Sequence, residues 1–419
     1  QKNGDRLFRW GHYFDPHAPY DAPEPWKARF PGRPYLAEIA FVDEQIGRLA
    51  KGLAAAGRLE RALVVVVGDH GESLGEHGES THGVFVYDST VRVPLLLRPP
   101  GGLAKPAVVG DRVVSQVDLL PTVLDLVGLP DHAARDGVSL LAPAAPARAV
   151  YAESLMPYLD FGWAPLHALR RRDAKVVFAP RPEYYDLAAD PAEERNLAAA
   201  PGGLPRGGRE LAADLRGRLD AWSRKPAPTE QVPLSEEDRA RLASLGYLTG
   251  SGSGSGGDLA DPKDRIGVAV LLVEANSLTE AGRLAEAVPL LTRALRESPR
   301  DRSVLRAAGK LFLRQGRLKD AELAFRAFTS IRPAPDVSLL LAQILLLDGR
   351  LEEAERLLRE AEALDPRHGG VQIAWGDLEA RRGRVEDARL RYRKAAEIDP
   401  YRAAGAAGAR LRKLGKGGE

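Results

Sequence analysis

The feature that most constrains this chain is a repeat in residues 261–419. Gly-Arg recurs at Gly282, Gly316, Gly349 and Gly383, in steps of 34, 33 and 34 residues. An alanine stands five positions after each glycine, at Ala287, Ala321, Ala354 and Ala388, and a proline closes each unit, at Pro299, Pro333, Pro366 and Pro400. Glycine permits a tight turn between two helices. A small residue lets the second helix approach its neighbour, and proline ends it. A single unit of this length cannot bury its own apolar face, so the units must stack. About four units are expected, with residues 401–414 as a capping helix.

The period and the three recurring positions resemble the tetratricopeptide repeat, a helix-turn-helix unit. The resemblance implies an all-α solenoid whose concave side holds a protein or peptide partner; a plain spacer or a dimerisation arm is the alternative role. Residues 226–260 read as a connector. Residues 225–233 are Pro-rich, residues 250–257 (GSGSGSGG) have the composition of flexible coil, and residues 234–247 between them carry the pattern of a short capped helix.

Residues 1–225 alternate helical and strand patterns, which argues a layered α/β domain. Residues 35–53 have apolar residues at helical spacing. Residues 63–67 (LVVVV) and 93–97 (VPLLL) are short apolar runs that read as strands covered on both faces, typical of parallel sheets. Residues 113–117, 149–153 and 175–178 are further strand candidates, and Asp118 is expected to cap a helix running through Val127.

Composition narrows the partners. Lys and Arg number 60 against 58 Asp and Glu, a net charge of +2, so there is no electrostatic case for nucleic acid. The chain has no cysteine, which excludes disulfides and thiolate metal sites. No apolar run approaches the ~20 residues of a membrane helix. No signal peptide is visible, and Gln1 opens on what reads as mid-domain sequence, so an upstream segment is expected.

Five of the 8 histidines, His12, His17, His70, His77 and His82, fall in the first 82 residues. Asp69-His70-Gly71-Glu72 follows directly on the strand candidate at 63–67. Ligands in open α/β sheets bind beyond the carboxyl ends of strands. A carboxylate and an imidazole there can both ligate a divalent cation; oxygen donors favour Ca2+ or Mg2+, and an imidazole shifts the balance toward Zn2+ or Mn2+. His77 reads as a loop residue, and Glu72 as a residue that orients a ligand.

The stretch GDHGESLGEHGESTHGVFVYDSTVRVPLLLRPPGG, residues 68–102, resembles the metal-binding segment of sulfatases in the alkaline phosphatase superfamily. HYFDPHAPYDAP (12–23), VSQVDLLPTVLDLVGLP (114–130) and EYYDLAADPAEERNLA (183–198) are similar to flanking segments of the same family, in the same order. The resemblance implies an alkaline-phosphatase-like α/β domain that is incomplete here, with Asp69 and His70 as metal ligands, Ca2+ first among the candidates. It implies that His17 contacts the sulfate group and that His82 stands near a position where sulfatases use lysine. Sulfatases draw a formylglycine nucleophile from a Cys/Ser-x-Pro-x-Arg segment, which this chain lacks. Three functions follow: a sulfuric ester hydrolase inactive without that segment, a phosphoryl or phosphonate ester hydrolase or transferase of the superfamily, or a repeat scaffold with an inactive hydrolase half. An extracytoplasmic location goes with the first.

Overall fold

The structure is a computed structural model; it describes residues 7–103, 112–131, 133, 135–143, 148–199, 203–223, 259–331, 333–401 and 403–415. The expected connector helix at 234–247 and the Gly/Ser tract at 250–257 lie outside the described residues. The α/β half opens with a short helix α1, Trp26–Arg29, and a long helix α2, Pro34–Ala55, whose first residue is a proline that cannot donate there anyway. Strand β1, Val64–Val67, pairs with β2, Leu95–Arg98, and the connection between them holds a single 3-10 turn, Glu76–Gly78, and the four-residue helix α3, Asp88–Val91.

That pairing is antiparallel, from Val64 opposite Arg98 to Val67 opposite Leu95, which corrects the parallel arrangement expected from the two apolar runs. A parallel pair needs a crossover, usually a helix, that returns the chain to the same end; one turn of helix does not do this. The runs are also less covered than their composition implies: Val67 is 38% and Leu96 58% exposed. Helix α2 forms as expected, yet Leu36, Ile39 and Leu49 on its apolar stripe are at least 38% exposed. Residues 113–117 form no strand. The Ser115 side chain and Asp118 close a capping box on each other's backbone, and this local capture ends in helix α4, Leu119–Leu126.

A second sheet is a four-stranded antiparallel meander: β3 Val150–Ser154, β4 Leu166–Arg170, β5 Ala174–Phe178 and β6 Glu183–Asp186. Its side chains alternate between two cores. Leu169 and Val176, both 0% exposed, pack on Leu211 and Leu215 of helix α5, Arg206–Ser223. Leu166, Ala168, Val177 and Tyr185 face the other way, into a core shared with residues 84–87, Phe161 and Trp163.

The repeats form four antiparallel helix pairs: α6 Ile266–Glu280 with α7 Leu284–Glu297, α8 Arg302–Arg314 with α9 Leu318–Ile331, α10 Pro335–Leu347 with α11 Leu351–Leu364, and α12 Gly369–Arg381 with α13 Val385–Ile398. Helix α14, Ala403–Gly415, covers the end. The turn glycines have φ of 75°, 72°, 74° and 76°, and an added Cβ would meet nothing at any of them. The backbone angle alone therefore demands glycine. Ala287, Ala321, Ala354 and Ala388 are all 0% exposed.

The core does not stop where the repeats begin. Val268, Leu271 and Leu272 of α6, with Val304 and Leu311 of α8, continue the cluster that contains residues 84–87 and Trp163. Ala164 N donates to Ala260 O at 2.9 Å, Ser303 Oγ to Asp160 O at 2.5 Å, and Lys263 Nζ to Glu183 Oε1 at 2.5 Å. Helices α6 to α8 are thus packed on the α/β half rather than tethered to it. No helix among the described residues is long and apolar enough to cross a membrane.

Packing inside the repeats follows one rule of volume. A Cβ on Gly309 would stand 2.3 Å from Phe325 Cε1, and one on Gly376 2.3 Å from Tyr392 Cε1. At the matching positions of the other two units, alanine (Ala275, Ala342) goes with leucine (Leu291, Leu358), and all four are buried. Gly309→Ala and Phe325→Leu should each destabilise the array by on the order of 1–3 kcal/mol, one by overpacking and one by a void. The double change converts this pair to the alanine–leucine type, and should recover most of that loss in denaturant unfolding; strictly additive losses would refute the size coupling.

Candidate active site

The site is built where β1 ends. Gly68 N donates to Pro94 O at 3.2 Å and Gly71 N to Thr90 O at 2.7 Å, which pins the Asp69-His70 step between the returning strand and α3. A Cβ on Gly71 would lie 2.3 Å from Ser89 O, so only glycine lets the loop pass α3. From the far side, Gln116 Nε2 donates to Gly68 O at 2.8 Å and Asp69 O at 2.7 Å. The Gln116 side chain was not legible as a site element in the sequence.

The structure brings together His17, His70 and His82, with Asp69 beside them. The His70 and His82 rings stack with centroids 3.9 Å apart, and His17 meets His82 edge-on at 5.2 Å. His17 is itself stacked on Phe14 at 4.4 Å. Each imidazole is tied through Nδ1 to an acceptor: His70 to Gly71 O at 2.9 Å, His17 to Ala18 O at 2.6 Å, and His82 to Glu72 Oε1 at 3.1 Å. A carbonyl or carboxylate only accepts, so Nδ1 carries the proton in each case. In the neutral ring that leaves all three Nε2 atoms with a lone pair, the form that ligates metal or takes a proton.

Asp69 Oδ2 lies 3.8 Å from His70 Nε2, a separation open to two ligands of one cation. Oxygen and imidazole donors suit a divalent ion. Among the described residues no group of three or more acidic or histidine side chains is arranged to hold a metal. Asp69 and His70 therefore fit as a pair of ligands and do not make a coordination sphere by themselves.

The supports are buried carboxylates. Glu72, with its side chain 3% exposed, anchors His82 through Oε1, while its Oε2 has no hydrogen-bond partner. Burial, and then the nearby Glu72 charge, pushes the Tyr20 hydroxyl well above the usual phenol range. Glu38 on α2 accepts from His17 N at 3.1 Å and Asp21 N at 2.6 Å, fixing the histidine segment to the helix. Its burial raises its carboxyl above the ordinary range, against the two N–H donors. The signal for Glu38 was a charged residue inside an apolar helical stripe.

His77 and the 183–198 motif hold structure around the loop. His77 stacks on Tyr87 at 3.6 Å and its Nε2 meets Ala192 O at 3.1 Å, away from the histidine cluster. In the 190–197 segment, Asp190 accepts from Glu194 N and Arg195 N, and Asn196 Oδ1 accepts from Tyr184 N and Ala198 N. Glu193 accepts from Asp88 N and pairs with the fully buried Lys175 at 2.8 Å. Lys175 and Arg170 also hold Asp88, keeping its carboxyl below the usual range although burial alone would raise it. This knot fixes the loop's exit into α3.

With this geometry established, comparison with known proteins is direct. Residues 1–129 match the sulfatase family model, and residues 272–337 and 339–403 match a tetratricopeptide repeat model. The chain is 36% identical over 180 residues to a choline-sulfatase of Rhizobium meliloti (41% of this chain, 34% of that protein). It is 31% identical over 170 residues to an arylsulfatase of Clostridium perfringens (39% of this chain, 35% of that protein). A solved structure of a putative sulfatase from Bacteroides thetaiotaomicron is 25% identical, covering 45% of this chain and 42% of that one, with a TM-score of 0.37. The chain spans about a third of the length of these curated relatives.

Glu79 supplies a test of the loop's electrostatics. It is 3% exposed and accepts from Val84 N at 2.7 Å and Phe85 N at 3.2 Å. Burial pushes its carboxyl up to about 7, against those donors and the nearby His82. A raised folded-state value means the folded chain binds the proton more tightly. Its stabilising contribution is therefore complete below the ordinary glutamate range and is lost as pH rises through about 7. The loss is on the order of 3 kcal/mol at most. Glu79→Gln, which mimics the protonated form, should flatten the stability profile between pH 5 and 8; an unchanged profile in thermal unfolding would show that Glu79 does not titrate there.

Proposed function

We propose that this chain, with its sulfatase domain and tetratricopeptide repeats, provides the metal-and-anion half of a metal-dependent sulfuric ester hydrolase. The observation that carries the reading is the convergence of His17, His70 and His82, each with Nδ1 engaged and Nε2 open, beside Asp69 at the end of β1. Asp69 Oδ2 and His70 Nε2 would hold the cation, with Ca2+ the first candidate. When bound, the cation withdraws charge from the sulfuryl oxygens. His17 Nε2 lies where it can donate to a sulfate oxygen in its protonated form. His82, in its imidazolium form, keeps Nδ1–H on Glu72 and offers Nε2–H to the departing oxygen. Glu72 orients that ring, and Glu38 and Gln116 hold the two segments in register.

The nucleophile is not among these residues. The chain has no cysteine and no Ser-x-Pro-x-Arg segment, so a formylglycine would be supplied from outside the 419 residues. Without it the chain binds a cation weakly and turns over nothing. The two-stranded β1–β2 sheet and the exposed apolar stripe of α2 support the same reading: further strands and cover come from elsewhere in the whole protein. We also assign the whole enzyme to an extracytoplasmic location and the outer part of the repeat array to a protein or peptide partner. A phosphoryl or phosphonate hydrolase is the second reading, supported by an imidazole backed by a carboxylate, His82–Glu72, in place of a lysine.

Two measurements test this. Asp69→Asn or His70→Ala should weaken divalent-cation binding by this chain about tenfold or more, read by titration calorimetry; unchanged binding would remove the pair as ligands. In the whole enzyme, His82→Gln should lower kcat/KM for alkyl sulfates by about 10²–10⁴ and far less for nitrophenyl sulfate, whose leaving group needs no proton. Equal losses would reject His82 as the acid. Turnover of nitrophenyl phosphodiesters with none of sulfates would favour the second reading.

A further inference from the structure

Helix α8 differs in charge from the helices around it. Arg302, Arg306, Lys310 and Arg314 follow at four-residue spacing, and the helix has no acidic residue. Such a row rises along one side of the helix for about 18 Å. Several cations elsewhere in the array are closely paired within or between helices: Arg283 with Glu286 at 2.6 Å, Arg350 with Glu353 at 2.7 Å, Arg391 with Glu362 at 2.8 Å. On α8, Arg306 stands 3.9 Å from Asp336, a longer pair than these, and Arg314 spends its guanidinium on the Thr279 carbonyl. Lys310 and Arg314 reach solvent without a carboxylate partner among the described residues. Partial burial of its ammonium, and then the Arg306 charge, holds Lys310 below the usual lysine range, despite Asp336 and Glu280. An anion arriving here relieves cation–cation repulsion that the fold leaves unbalanced.

The stripe is also joined to the catalytic loop. Ser303 at the start of α8 donates to Asp160 O in the turn Pro157–Phe161. Met156, just before that turn, sits against Gly83, with its Sδ 2.7 Å from where a Cβ would be, and Ser154 Oγ donates to Gly83 O. Gly83 follows His82. An anionic chain lying on α8 is therefore held on the hydrolase body and not at the free end of the array.

We infer that the Arg306–Lys310–Arg314 stripe of α8 is a docking track for a linear sulfated polysaccharide, the substrate chain from which the neighbouring site removes an ester. Repeated sulfates match repeated cations, and arginine and lysine bind sulfate oxygens by charge-assisted hydrogen bonds. The inference rests on the sulfatase reading, and its test measures binding without turnover, so the two fail separately: nitrophenyl sulfate is too short to touch α8 and reports on the site alone.

The experiment titrates the full chain with a sulfated glycosaminoglycan hexasaccharide, its desulfated counterpart and a poly-glutamate peptide of equal charge. The native chain should prefer the sulfated sugar, with affinity falling as salt rises. Arg306→Gln/Lys310→Gln/Arg314→Gln should weaken binding about tenfold or more, and the single Lys310→Glu change should do the same with less demand on folding. Arg412→Gln/Lys413→Gln on α14 should leave it unchanged. Equal losses at α14, equal binding of the desulfated sugar, or tighter binding of poly-glutamate would each overturn the proposal; the last would make the stripe a peptide site.

Discussion

The burial of residues 84–87 is the constraint on which the other parts depend. Val84, Phe85, Val86 and Tyr87 are each at most 5% exposed, immediately after the loop that carries His70 and His82. One short segment thus fills the space between the four-stranded sheet and the first repeat helices. Its two ends are fixed by charge. Glu79 collects the N–H groups of Val84 and Phe85 at the start, and Asp88 is locked by Arg170, Lys175 and Glu193 at the end. A buried lysine between two carboxylates is costly to desolvate and more costly to break. Its geometric consequence is clear: the loop has one exit position, and the histidine cluster inherits it.

That anchoring changes how the repeats relate to the α/β half. A solenoid joined by a Gly/Ser tract reads as a free arm. Here its first helices complete the core under the loop that carries His70 and His82, and Lys263 reaches the same Glu183 that receives the Tyr87 and Tyr185 hydroxyls. The α/β half therefore lacks part of its hydrophobic core without α6 to α8. The repeats have a structural role before they have any binding role, and a ligand on α8 acts on a surface continuous with the site.

Within the site, the division of labour is between few exposed groups and many buried supports. Asp69 presents its side chain to solvent, while Glu38, Glu72 and Glu79 are buried and spend their oxygens on backbone N–H groups or on the His82 ring. Such supports fix ring orientation and tautomer, and those in turn fix which nitrogen is left free.

How much of this was legible in the sequence varies with the range of the interaction that decides it. The array was legible because each unit repeats the same local demands: positive φ at the turn glycine, no volume at the following alanine, no donor at the proline. Helices α2 and α4 and strands β3 and β5 were legible for the same local reasons, and the motif order around Asp69 and His70 marked the site segment. Strands β4 and β6 were not, because LHALR and EYYD carry no alternation strong enough to stand out until their partners are present. The direction of β2 against β1 was read wrongly, because an apolar run reports burial and not polarity of pairing. Gln116 and the knot around Lys175 were invisible, and the partners of Glu38 were too, because each joins segments far apart in the chain. The sequence by itself determined the local conformations and the chemical types at the site. Only the tertiary structure decided that His17, His70 and His82 meet, and that the repeats close the core beneath them, because those facts depend on long-range contacts that no local pattern encodes.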